Sequence, residues 1–208
     1  MNSKAQPSPF PHAKLIPLEV DASLWERFYT VAPLVVIGTM DEDGRFDLAP
    51  KHLAMPMSWD PFFGFVCAPT HQTYKNAKRH GYFTVTYPQP DKVLLASLAA
   101  SPRCDDSEKP ILRDLPTFPA EKIEGVHLAD GHVFLECKCE RFVEDLGPNC
   151  LIIGSIVAAR ILPSALRISE MPDEGLLEKH PLLAFLYPNR FAQIQETLPF
   201  PFPKGFKK

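Results

Sequence analysis

Short strand-like runs, each bounded by proline, glycine or acidic turn residues, recur along this chain with only brief helical stretches between them. Residues 34–40 (Leu-Val-Val-Ile-Gly-Thr-Met) are rich in β-branched side chains and flanked by turn signals, the pattern of a buried strand. Asp41-Glu42-Asp43-Gly44 supplies a turn, with Gly44 free to take a positive φ, so residues 45–49 read as the returning strand of a hairpin. Residues 62–67 form a second apolar run, and Tyr82-Thr84-Thr86 alternate with Phe83-Val85-Tyr87 at the strand period of two. Val133, Leu135, Cys137 and Cys139 alternate in the same way with Phe134, Glu136, Lys138 and Glu140, and residues 151–161 read as a further strand that Gly154 bends or packs closely. Strands spread evenly through the chain exclude a doubly wound βαβ fold. They predict a mainly β protein with short α, an antiparallel Greek-key-type barrel with peripheral short helices. Closing the sheet would also remove its edges.

Ser23 and Glu26 have capping-box spacing, which starts a short helix that must stop before Pro33. Residues 73–80 predict a helix with Gly81 just past its end, and Asp91 an N-cap for a helix over 92–100 that Ser101-Pro102 terminates. Residues 174–186 and 189–196 read as two helices separated by Tyr187-Pro188. The polar, proline-punctuated stretch 103–119 reads as a long loop, and a long loop in a compact domain is either disordered or a functional lid.

At 208 residues the chain reads as one domain, residues 1–208, large enough to bury a real core. The formal net charge of −3 gives no general attraction for nucleic acid or an anionic membrane. No apolar run approaches the ~20 residues needed to cross a bilayer. Residues 1–11 lack the basic-then-apolar pattern of a signal peptide, and the five cysteines follow no disulfide framework, so a cytoplasmic location is expected. Proline is the outlier, at 23 residues, and alternating Pro-Phe near both ends predicts extended arms, about residues 1–20 and 198–208. Such arms either lie on a surface, such as a partner subunit's, or are frayed tails.

The common nucleotide and metal signatures are missing. No G-x-G-x-x-G follows a strand, no glycine loop ends in Lys-Ser or Lys-Thr, and neither H-E-x-x-H nor a paired C-x-x-C occurs. Cys137 and Cys139 merely share one face of a strand, so no metal site is expected, and nothing beside Cys104 or Cys150 marks an activated nucleophile. His80 reads as a charge at a helix C-terminus, and His127, His132 and His180 as surface or structural residues. Trp25 and Trp59 read as core or interface aromatics.

Polar residues with donor groups gather at strand ends between residues 33 and 87, where a ligand would touch them. Pro33-Leu-Val-Val-Ile-Gly-Thr, the acidic-Gly turn, Asp47-Leu-Ala-Pro-Lys-His, Trp59-Asp-Pro and His71-Gln-Thr-Tyr-Lys-Asn follow one another in an order that resembles the flavin reductase-like family. Its members are FMN-binding split β-barrels that usually dimerise. Thr73-Tyr74-Lys75-Asn76 and Phe83-Thr84-Val85 match the later part of the family's pattern, and Cys137 and Ile153-Gly154-Ser155-Ile156-Val157 match segments beyond it. Asp47 and His52 stand where the family carries Asn and Ser.

The resemblance implies FMN as cofactor, NADH or NADPH as co-substrate, and a homodimer. It places cofactor contacts at Asp47, Leu48, Ala49, Pro50, Lys51, His52, Thr70, His71, Thr73, Lys75 and Asn76. A flavin ring is an amphiphilic plate that wants an apolar slot, here Leu48, Ala49 and Pro50, and donors at its oxygens. Its phosphate wants positive charge and N–H donors, here Lys51, Thr70, His71, Thr73, Lys75 and the start of a helix. Asp47 would accept hydrogen bonds from backbone or ribityl hydroxyls, and His52 would donate to the flavin or stack beside it. On local pattern alone, Thr73 caps the helix and Asn76 bonds its own backbone. No catalytic side chain is required, because the flavin carries the hydride chemistry. Arg103 or Lys109 could meet the nicotinamide phosphates. Two alternatives stay open: an FMN-binding electron carrier or flavin-storage protein without nicotinamide chemistry, and a flavin-less split-barrel interaction dimer.

Overall fold

The computed structural model describes residues 15–104, 108–168 and 175–205. In chain order it contains β1 (Thr30–Pro33), β2 (Val35–Met40), β3 (Phe46–Lys51), β4 (Ala54–Pro56), β5 (Phe62–Cys67), α1 (Gln72–His80), β6 (Tyr82–Pro88), α2 (Val93–Leu98), β7 (Thr117–Pro119), β8 (Val126–Leu128), β9 (Gly131–Leu146), β10 (Asn149–Ile161), α3 (Leu176–Lys179), β11 (Leu182–Tyr187) and β12 (Arg190–Ile194). Seven strands form one antiparallel sheet in the order β3-β2-β6-β9-β10-β5-β4. The chain passes directly from β3 on one edge into β4 on the other, and the Val66 amide donates to the Leu53 carbonyl at 2.8 Å across that passage. The sheet is therefore curled into a split barrel with short helices outside, the mainly β architecture that the strand pattern predicts.

Val35, Val36 and Ile37 do not alternate because both faces of β2 are covered. Val35 and Ile37 join the barrel interior with Phe63, Phe65, Phe83 and Val85, while Val36 and Leu48 pack outward against Ala96, Ala99, Leu115 and Leu128. Gly44 takes φ +82° in the β2–β3 turn, and Gly81 ends α1 in the left-handed conformation at φ +76°. Gly154 is a close approach: a Cβ there would sit 2.8 Å from the Phe83 ring and 2.9 Å from the Lys138 carbonyl.

Several expectations need correction. Residues 182–194 form a β-hairpin instead of two helices. β11 pairs with β1 at Thr30↔Tyr187 and with β12, making a separate three-stranded sheet. Leu-Ala-Phe-Leu is helix-compatible by propensity, but a strand partner from the start of the chain outweighs so weak a preference. Only Leu176–Lys179 is helical there. In the stretch expected as a loop over 103–119, the described residues 108–119 hold a 3₁₀ turn at Pro110–Arg113 and the strand β7, so they are folded onto the barrel. Ser23 precedes a single 3₁₀ turn and gives no side-chain cap; its hydroxyl donates to Asp21 at 2.7 Å. The helix expected from an Asp91 cap begins instead as a 3₁₀ turn at Pro90–Lys92. Trp59 is fully exposed and Trp25 is 54% exposed, so neither is a core residue. Of the expected arms, residues 1–14 and 206–208 lie outside the described residues, and 198–203 carry no regular element.

His127 is structural. Its ring is wholly buried, stacked on Phe118 at 5.1 Å and edge-on to Phe134, with Nε2 3.9 Å from the Glu136 carboxylate. That carboxylate also accepts the backbone N–H groups of Glu121, Lys122 and Ile123, and so fastens the segment before β8. Burial, aided by the Arg160 charge and opposed by Glu136, pushes the His127 imidazole down to about 4. The folded state thus favours the neutral ring. This contribution is complete above the unfolded imidazole's range near 6.5 and is lost as pH falls from there toward 4. At pH 5 the loss amounts to about 2 kcal/mol. Urea midpoints at pH 7 and pH 5 should accordingly lie closer together in His127→Phe than in the parent protein; an unchanged gap would show that His127 is not the group titrating.

Candidate functional site

The end of the barrel where β3 crosses to β4 carries an open cleft of about 270 Å³. Pro50 and Lys51 come from the end of β3, His52 and Leu53 from the turn after it, and Cys67 and Ala68 from the end of β5. His71, just ahead of α1, and Asn149, at the start of β10, complete it. No carboxylate among the described residues lines this cleft. Lys51 forms no ion pair among the described residues, which leaves its charge available to an anion.

His71 is the N-cap of α1 in extended conformation, and the first intrahelical bond runs from the Lys75 amide to the His71 carbonyl at 3.3 Å. The amides of Gln72 and Thr73 are therefore donors without an intrahelical acceptor, where the helix dipole also favours negative charge, while the Tyr74 amide is turned to the Cys67 sulfur. Burial, then the neighbouring Lys51 charge, pulls both His52 and His71 below the ordinary imidazole range, so near neutral pH each offers one N–H and one acceptor. The His71 Nδ1 lies 3.9 Å from the Cys67 sulfur, whose thiol is pushed up by burial and is no nucleophile at neutral pH. His52 stacks on Phe185 of β11, with ring centroids 4.3 Å apart, so the small sheet forms one wall beside the cleft. Cationic and apolar groups thus meet at one place, and the arrangement can hold a molecule that is anionic at one end and flat and apolar at the other.

A second cleft, about 290 Å³, lies beside Asp41, Arg45, Arg103, Glu108, Lys109 and Arg113. It is rich in cations, but each is neutralised. Arg103 donates to Asp41 at 3.0 Å and Lys109 to Asp47 at 3.1 Å, while Arg45 and Arg113 both pair with Glu108. These contacts fasten the stretch expected to be a lid against the β2–β3 hairpin. Arg103 and Lys109 are taken up by them and do not stand ready for a nicotinamide phosphate.

Of the expected contact residues, the structure brings Pro50, Lys51, His52 and His71 together around the first cleft. Thr70 and Lys75 are exposed in the turn and first helical turn beside His71. Ala49, half-buried on β3, does not line the cleft, and Thr73 is buried within α1 and is not its N-cap. Three expectations are displaced. Asp47 is buried and its carboxylate is engaged by Lys109 and Arg103, so side-chain cations hold it where backbone or ribityl donors were expected. Leu48 puts its side chain into the core outside the barrel. Asn76, wholly buried, donates to Asp41 at 2.6 Å and Thr39 at 3.2 Å and accepts from Gln72 at 2.7 Å; it pins α1 to the β2–β3 turn and does not bond its own backbone. Cys67, Ala68 and Asn149 were not among the expected contacts. Their positions at the ends of β5 and β10 were the available signal, since polar and small residues at strand ends are what a ligand meets.

Residues 28–180 match the model of the flavin reductase like domain. Among solved structures, flavoredoxin of Desulfovibrio vulgaris (Miyazaki F) superposes with a TM-score of 0.73 at 21% identity, covering 92% of this chain and all of that one. Nitrilotriacetate monooxygenase component B from Bacillus cereus gives 0.71 at 18% identity, over 82% of this chain and 88% of its own. An FMN-binding protein from Thermus thermophilus gives 0.71 at 17%, over 90% and 99%. At these identities the structural matches establish the split-barrel fold.

Proposed function

The chain belongs to the flavin reductase-like family, and on that premise we propose that it is an FMN-dependent oxidoreductase taking hydride from NADH or NADPH. The observation that carries the reading is the cleft at the start of α1, lined by no carboxylate of the described residues, with Lys51 in no ion pair among them. Lys51, His71 and the first amides of α1 would hold the FMN phosphate, and Pro50, Leu53 and Ala68 would give the ring apolar contact. When bound, the flavin supplies a hydride-accepting centre that no side chain here offers. His52, locked by its stack on Phe185, would orient the ring by donating one N–H from a fixed position. At about 270 Å³ the cleft is smaller than the ~300–1,000 Å³ of sites that enclose a whole ligand, so part of the cofactor would stay open to a hydride donor. The exposed Leu53 in the cleft, with the exposed Met55 on β4 and Trp59 in the turn before β5, supports a homodimer whose second copy covers them.

One observation favours the carrier alternative. Arg103 and Lys109, the cations expected to receive a nicotinamide nucleotide, are engaged by Asp41 and Asp47. Anaerobic addition of NADH, then NADPH, to FMN-loaded protein separates the two readings. The proposal expects one nucleotide to bleach the flavin band within seconds. Bleaching by dithionite alone would replace it with an electron carrier.

A further inference from the structure

A third cavity, about 200 Å³, lies between the three-stranded sheet and the neighbouring end of the barrel. A single strand, β11, divides it from the first cleft: Phe185 stacks on His52, while Leu183 and Ala184 line the cavity. Most of the lining is aliphatic, and no charged side chain among the described residues contributes to it. Its polar groups are Tyr87 and His132, whose rings meet edge to face at 6.2 Å. His132 is only 5% exposed, and its Nδ1 is buried without a hydrogen-bond partner. An orphaned buried nitrogen costs about 1–3 kcal/mol. A ligand that satisfies it recovers that cost. Val31 and Leu182, both partly exposed, form the mouth.

We propose that this cavity is a binding site for a small neutral phenol, its ring among Leu34, Leu183, Ala184 and Ile194 and its hydroxyl on the His132 Nδ1. The volume limits the ligand to a single ring. The absence of a lining charge rejects a carboxylate, which would be buried unpaired. Burial, then the nearby His180, lowers the His132 pKa, so the imidazole is neutral and its Nδ1 either donates or accepts according to tautomer. A phenol hydroxyl does both and so matches either state. The site is independent of the flavin reading, since no residue lining it lines the first cleft.

The test uses the full chain, with and without FMN, and ¹⁹F NMR of 4-fluorophenol, 4-fluorobenzoate and fluorobenzene. The proposal expects 4-fluorophenol to bind, 4-fluorobenzoate not to bind, and FMN to leave both results unchanged. His132→Phe should weaken 4-fluorophenol at least about tenfold while retaining fluorobenzene. Ala184→Phe, which fills the cavity, should abolish both. Absence of 4-fluorophenol binding, equal affinity in His132→Phe, undiminished binding in Ala184→Phe, or displacement by FMN would each overturn the proposal. Should Ala184→Phe fail to fold, the His132→Phe comparison decides.

Discussion

Lys109→Met will destabilise the protein by about 3–5 kcal/mol, the cost of breaking a buried ion pair by removing one partner. The Lys109 side chain is 6% exposed, and its ammonium donates to Asp47 at 3.1 Å, to the Leu48 carbonyl at 2.7 Å and to the Ala99 carbonyl at 2.6 Å. One cation therefore ties the stretch before the 3₁₀ turn at Pro110–Arg113 to β3 and to the end of α2. Methionine fills similar volume but leaves two carbonyls unpaired and the buried Asp47 carboxylate facing, among the described residues, only Arg103, at 3.5 Å. Asp47→Asn added to Lys109→Met should recover at least about 1 kcal/mol, because the orphaned charge is what costs most. Urea midpoints at neutral pH read both effects. A Lys109→Met variant within about 1 kcal/mol of the parent would mean that the contact is not buried in solution.

Lys51→Glu will weaken FMN binding by about a hundredfold or more without lowering stability. A unit charge about 4 Å from another is worth roughly 4 kcal/mol at an effective dielectric near 20, and reversal turns attraction for a phosphate into repulsion. Partial exposure of the cleft reduces this, and about 3 kcal/mol corresponds to the stated factor. Stability should hold because Lys51 has no ion pair to lose among the described residues. Arg45→Glu, in the second cleft, is the control: that side chain already pairs with Asp43 and Glu108, and its reversal should leave FMN affinity unchanged. Quenching of FMN fluorescence on titration reads all three proteins. Equal weakening by the two variants would point to a general field effect and not to a site at Lys51.

Much of the barrel could be read from the residues because its strands carry local signals. The β2–β3 hairpin announces itself through Gly44, and α1 through Gly81 just past its end. What escaped was set by distant partners. β11 is a strand because Thr30–Pro33 lies beside it, and nothing within 182–187 states that. Residues 108–119 pack onto the barrel because Lys109 reaches Asp47 and Ala99, contacts that a polar composition conceals. The same division runs through the site. Pro50, Lys51, His52 and His71 fall at element ends and so could be picked out by position. Asn76 matches a family motif position and Asp47 occupies one where the family carries Asn, yet their side chains are spent on Lys109, Asp41 and Thr39. The motif marks their places. Only the fold shows what their polar atoms meet.

The most direct test of where the flavin binds is amide hydrogen exchange, measured with and without saturating FMN. The cleft at the start of α1 predicts slowed exchange in residues 51–53 and 68–74, with residues 103–117 unaffected. Protection confined to 103–117, or none anywhere, would contradict it.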